Sequence, residues 1–244
     1  MKIVTDISIT STPTRARGKW DPGALFRSPV QGAWFDPSDV ATLFQDSAAT
    51  VPVAVDGDPV GRMLDKSGNG NDAVQSNAAR RPKWRTDGTL SWIEFDGVDD
   101  RMETAITVLD GAPVMTSCAG LSYLPGGAAW GALRSLVDAG IYVGLSHPSI
   151  TGAVSNVGGA FFLNGVPAPN DRKALREALV APAVFEGQDI QTASLSGQKW
   201  QVFSYWNTSP PGGRLFGYVD YVGAAGPELT QLRLWMARQT GVTL

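Results

Sequence analysis

Turn-forming residues interrupt this chain too often for long helices. Glycine occurs 28 times and proline 16 times in 244 residues. They gather with Asp and Asn in dense clusters: Asp65-Lys66-Ser67-Gly68-Asn69-Gly70-Asn71-Asp72, Asp96-Gly97-Val98-Asp99-Asp100 and Ser209-Pro210-Pro211-Gly212-Gly213. Glycine supplies positive φ, proline fixes φ, and Asx side chains bond their own backbone, so each cluster reverses the chain. The intervals are short apolar runs, predicting strands at 60–64, 90–95, 101–109, 115–124, 133–138, 141–146, 160–163, 199–206 and 214–222. Asn164-Gly165 after 160–163 is a hairpin dipeptide. Many short strands with regular punctuation predict an all-β, two-sheet antiparallel sandwich.

Three helical signals remain. Asp36-Pro37-Ser38-Asp39 places an N-cap, a proline at N1 and an anion in the first turn, predicting a short helix over about 37–45. Asp171 can cap a short helix carrying Leu175 and Leu179, limited by Pro182. Residues 227–240 carry Leu229, Leu232, Trp235 and Met236 on one stripe with Gly241 as the stop, predicting a terminal helix that closes the sandwich. Residues 1–30 differ from the rest. Ile3, Ile7 and Ile9 alternate loosely, and the Ser/Thr/Pro/Arg-rich segment behind them cannot pack alone. The chain therefore divides into a docking arm at 1–30, with an edge strand as the alternative, and a folded domain at 31–244.

Composition removes several function classes. The formal net charge of -3 gives no bulk attraction to nucleic acid or to an anionic membrane. No stretch of about 18 apolar residues is present, so membrane insertion is not expected. The polar start lacks a signal-peptide core, which predicts synthesis in a cytoplasm without export by that route. One cysteine, Cys118, excludes an intrachain disulfide, and one histidine, His147, excludes paired-histidine metal motifs. A Cys118–His147 nucleophile pair sits in no motif.

The segment 32–101 has an ordered set of motifs: Gly32-Ala33-Trp34-Phe35-Asp36-Pro37-Ser38-Asp39, then the 65–72 cluster with Ala73, Ala79-Arg80-Arg81-Pro82, and Phe95-Asp96-Gly97-Val98-Asp99-Asp100. Together with 213–217 and 238–242 it resembles the concanavalin A-like, laminin-G-like jelly rolls of bacteriophage and prophage virion proteins. That resemblance implies two stacked sheets with a face or rim for sugar or protein contact. It also implies a tail fibre, head fibre, spike or decoration component, assembled in the host cytoplasm and present in many copies. The expected partners are other virion proteins, reached through the arm, and host surface polysaccharide, with no nucleic acid.

Residue chemistry marks candidate sites. Asp65, Asn69, Asn71 and Asp72, joined across strands by Asp99 and Asp100, could offer oxygens to calcium, although such residues equally serve tight turns. Aromatic faces stack on sugar rings, which marks Trp130 in a loop, Tyr205 and Tyr218. Strict alternation would put Phe216, Tyr218 and Asp220 on one face and Leu215, Val219 and Tyr221 on the other. Core packing competes for every one of these aromatics. Concanavalin A-like glucanases carry Glu-x-Asp-x-x-Glu or Glu-x-Asp-x-Glu strands, and Glu94, Asp96 and Asp99 approach that pattern. The second glutamate is missing, so the reading is non-enzymatic, with a glucanase or a carbohydrate-binding module as the alternative. The basic run 80–85 reads as solvated surface.

Overall fold

A computed structural model describes residues 20–27, 30–104, 114–124, 132, 134–136, 142–144, 146–155, 157–191, 200–202 and 212–244. In chain order the strands are β1 (Gly32–Phe35), β2 (Leu43–Phe44), β3 (Arg62–Met63), β4 (Ala73–Val74), β5 (Lys83–Thr86), β6 (Ser91–Asp96), β7 (Met102–Thr104), β8 (Val114–Tyr123), β9 (Arg134–Leu136), β10 (Tyr142–Val143), β11 (Ala160–Leu163) and β12 (Val166–Pro167). Helix α1 (Arg172–Ala178), β13 (Ala183–Gln191), β14 (Trp200–Val202), β15 (Gly212–Val222) and α2 (Glu228–Thr240) follow. All strand pairs are antiparallel and fall into two sheets. The first runs β12-β11-β13-β8-β15-β6-β5, and the second β10-β9-β14-β7-β4-β3-β2. Strand β1 also pairs with β15, along the half that β6 leaves open: Gly212–Leu215 face β6, and Tyr218–Tyr221 face β1.

One core draws on both sheets, as in a β-sandwich. Phe35, Ile93, Phe95, Leu121, Phe185, Leu215 and Tyr218 come from the first sheet; Leu43, Met63, Ala73, Met102 and Val143 come from the second. A second core lies on the other face of the first sheet, where Trp34, Cys118, Val184, Val219 and Tyr221 meet Leu229, Leu232, Trp235 and Met236 of α2. Trp34 and Trp235 meet edge to face at 5.9 Å. The α2 stripe is the one the spacing predicted, and Gly241 ends the helix in the left-handed conformation at φ 71. Helix α2 lies close to the sheet because β8 and β15 present glycines beneath it. A Cβ on Gly120 would sit 2.5 Å from Thr240 Cγ2, and one on Gly217 3.0 Å from Met236 Sδ.

Four expectations change. The helix over 37–45 is a single 3₁₀ turn, Val40–Thr42, and Leu43–Phe44 leave it as strand β2. Asp36 does not cap it: its Oδ1 accepts from the amide and hydroxyl of Ser38, and its other oxygen binds Lys66. The strict alternation drawn through 215–221 breaks at a bulge between Leu215 and Gly217. The extra residue turns Leu215 and Tyr218 to the shared core and leaves Val219 and Tyr221 under α2. The arm boundary at 30 also moves. Residues Pro22–Phe26 form a 3₁₀ turn capped by Asp21, and Trp20, Leu25, Phe26 and Val30 pack on the α2 core. The early alternation at 3–9 lies outside the described residues. The fourth change is β13, a strand paired on both sides that the turn-punctuated runs do not predict: Gly187, Gln188 and Asp189 obscure it, and its register shifts between Gly187 and Ile190.

Candidate functional site

The sequence motifs interlock in two pairs. In the first, Asp65 is the hub. Its Oδ1 accepts from the amides of Trp34 and Ser67 at 2.9 Å each. Its Oδ2 accepts from the Ser67 hydroxyl at 2.7 Å and the Asn71 amide at 2.9 Å. The amide nitrogens of Asn69 and Asn71 both donate to the Gly32 carbonyl, at 3.1 and 2.8 Å. Asp72 accepts from the Asp65 amide and pairs with Arg62 at 2.8 Å. Lys66 bridges Asp36 and Asp39 at 3.0 and 2.7 Å and lies 4.5 Å over the Trp34 ring. Gly68 and Gly70 take φ of 86 and 76, the left-handed values that close so tight a turn. The oxygens proposed for calcium at Asp65 are therefore engaged in holding the turn to β1.

The second pair joins 75–82 to 96–101. Asp96 Oδ1 accepts from the Val98 amide at 2.8 Å, and Asp100 Oδ2 accepts from the Asp96 amide at 2.9 Å. Arg80 reaches Asp99 at 3.5 Å, and the Arg101 amide donates to the Arg80 carbonyl. Among the described residues, Asp96, Asp99 and Asp100 bring one oxygen each within 4.8 Å of one another. Neither Asp65 nor Asp72 joins them, so the six-residue calcium set drawn from the sequence divides into two separate turns. Burial of Asp100, reinforced by the charges of Asp96 and Asp99, pushes its carboxyl up to about 6.

Two clefts share the 75–81 segment. One, of about 340 Å³, is lined by Asp72, Val74, Gln75, Ser76, Asn77, Arg80, Arg101, Glu103 and Thr104. Val74 and Glu103 face each other across the β4–β7 pair on its half-buried side, while Ala73, Met102 and Thr104 point to the core. The other, of about 320 Å³, is lined by Pro59, Ala78, Ala79, Arg81, Lys83, Glu94, Asp96 and Asp100. Here Glu94 sits in a row of ion pairs across three strands, 3.5 Å from Arg85 on β5 and 3.7 Å from Arg214 on β15. Arg214 in turn lies 4.9 Å over the Trp92 ring.

The other sequence candidates separate. Tyr218 is fully buried, stacked on Phe35 with its hydroxyl donated to Asp220, so no sugar ring can reach it. Its place in the core between the sheets follows from the β15 bulge. Trp130 and Tyr205 lie outside the described residues. Cys118 is fully buried beneath α2, and burial pushes its thiol well up. His147 Nδ1 accepts from the amides of Ser149 and Ile150, a loop-holding role. Sequence reasoning missed Arg101, Glu103 and Gln75. They become neighbours only through the β4–β7 pairing, and the sole signal was the position of Arg101 at the end of the F-D-G-x-D-D motif. No protein-family model matches the chain, and no curated protein or solved structure matches it either.

Proposed function

We propose that this chain is a non-enzymatic adhesion or structural component of a phage virion, a concanavalin A-like jelly roll that contacts carbohydrate or protein. One observation carries the reading: the two sheets treat their outer faces differently. The first sheet is sealed by α2, whereas the outward positions of β4 and β7 line a polar cleft that mixes carboxylates, guanidiniums, amides and hydroxyls. Such a mixture of fixed donors and acceptors suits the hydroxyls of a sugar, and loses less on desolvation when the ligand pairs with it. The motif order over 32–101 supplies the virion context. Residues 1–19 then serve as the attachment arm, in place of 1–30, toward other virion proteins, and host surface polysaccharide is the outward partner. The protein works in the virion after assembly in the host cytoplasm, in many copies that add avidity to weak single contacts.

No reaction is assigned, because Glu94, Asp96 and Asp100 each serve a structural neighbour. The test has two arms. A chain lacking residues 1–19 keeps its β spectrum but fails to join particles; normal incorporation would put the docking surface on the sandwich. The full chain, displayed in multiple copies, binds a bacterial polysaccharide array without degrading it; turnover that vanishes in Glu94→Gln would make the protein a glucanase-like enzyme instead.

A further inference from the structure

We infer that the β4–β7 cleft binds the carboxylate of an acidic sugar, with Arg101 as the anchoring residue and Arg80 beside it. This deepens the carbohydrate-contact reading above and rests on it. Arg101 is the anomaly in the cleft. Its side chain is only 14% exposed, yet its guanidinium makes no hydrogen bond among the described residues. Its one ionic neighbour there is Glu103, at 3.7 Å, beyond hydrogen-bond range. Its buried Nε–H is left unmatched, which is costly, and the remaining N–H donors of the guanidinium stay available to a ligand. Other arginines nearby are spent: Arg62 binds Asp72 and the Ser47 carbonyl, and Arg81 binds the carbonyls of Gln75 and Ser76. Arg80 is committed through Nε to Asp99 at 3.5 Å. Two guanidiniums, linked through the Arg101 amide and the Arg80 carbonyl, thus line one cleft with donors in reserve.

The rest of the lining selects the ligand. Glu103 and Asp72 bring two negative charges to the same wall, which opposes a dianion such as phosphate more than a monoanion. A planar carboxylate matches the guanidinium fork in two parallel bonds. Glu103, a third exposed, is then free to accept from a sugar hydroxyl. Asn77 spends its oxygen on the Ala79 amide, and no bond engages its amide nitrogen among the described residues, so it can donate to the same ring. A monoanionic carboxylate flanked by hydroxyls is the chemistry of a uronic acid.

Calorimetric titration of the full chain with a trimer of galacturonic acid, a trimer of galactose and potassium phosphate tests the inference. The expected result is that the uronate trimer binds at least about tenfold tighter than the neutral trimer and that phosphate does not displace it. Arg101→Gln removes that preference, and Arg80→Gln, an exposed change that spares the core, weakens uronate binding several-fold. Equal binding of both trimers with no effect of Arg101→Gln would overturn the cleft assignment while leaving carbohydrate contact standing. Displacement by phosphate would overturn the uronate class. No binding of either trimer would overturn the inference, and silence on the polysaccharide array as well would take the underlying reading with it.

Discussion

The turn at 65–72 and the turn at 96–100 are built from the same residue types and use them differently. The first ties both carboxylate oxygens of Asp65 to backbone amides or a hydroxyl and anchors itself to Gly32 and Trp34 of β1. The second gathers three carboxylates within 4.8 Å and buries one of them. The first turn ties two motifs together through Asp65; the second, while holding its own backbone through Asp96 and Asp100, also gathers charge at the rim of the 320 Å³ cleft. Composition alone does not separate a fastening from a charged rim, because the difference lies in where the acceptors find donors.

The comparison is broken most directly at Asp65. Asp65→Ala orphans the amides of Trp34, Ser67 and Asn71 at once and should cost about 2–4 kcal/mol in urea unfolding. A loss below about 1 kcal/mol would mean that water replaces the carboxylate and that the turn is not a fastening.

Asp100 comes next, with a pH signature. Its folded-state value of about 6 lies above the ordinary 3.8. The folded chain therefore holds the Asp100 proton more tightly than the unfolded chain does. That stabilisation is complete below about 3.8 and is lost as pH rises through about 6. Asp100→Asn keeps an acceptor for the Asp96 amide and cannot ionise. It should raise stability at pH 8 by on the order of 1–2 kcal/mol and change little at pH 4. A gain of equal size at both pH values would remove the charge explanation.

Calcium sharpens the contrast at smaller amplitude. Titration with millimolar calcium, followed by backbone amide shifts, should leave 65–72 unmoved and confine any response to 96–100. Shifts centred on Asp65 or Asn71 would show oxygens that the hydrogen bonds described above do not leave open. The smallest effect belongs to Asp99→Ala. The Arg80–Asp99 pair is 3.5 Å long with both side chains about 40% exposed, so its loss should stay below about 0.5 kcal/mol. A larger loss would make the Arg80–Asp99 pair structural after all.

What the sequence disclosed and what it hid divide along the same line. Signals satisfied within a few residues were legible. Asp171 caps α1 through the amides of Lys173 and Ala174, Asn164-Gly165 turns with φ of 51 and 83, and Gly241 stops α2. Signals whose partners lie far along the chain were not. Asp36 looked like a helix cap, but Lys66 and Ser38 hold it, and Leu43–Phe44 pair with β3 instead of coiling. Glu186 is fully buried within β13 because Arg233 of α2 binds it, with Nη2 donating to Oε2 at 2.8 Å. That partner is 47 residues away, and a glutamate in the middle of a run hides the strand from any pattern count. The candidate cleft is the extreme case, since Gln75, Arg80, Arg101 and Glu103 converge only once β4 and β7 have paired.

The glycines beneath α2 have a consequence for biosynthesis. Gly120 and Gly217 leave a shallow seat that Trp235, Met236 and Thr240 of α2 fill, and nine of the ten positions of β8 are buried when the protein is complete. Strand β8 leaves the ribosome well before Glu228 is added. At roughly 5–20 residues per second that interval lasts on the order of ten seconds. Throughout it the helix-facing side of β8, with Cys118 and Gly120, has no cover. The nascent chain is therefore expected to offer a holdase a binding segment with a built-in expiry. Chains ending before residue 228 and released from the ribosome should retain a chaperone that released chains extending beyond residue 241 shed, and equal retention by both would show that the helix is not what closes the seat.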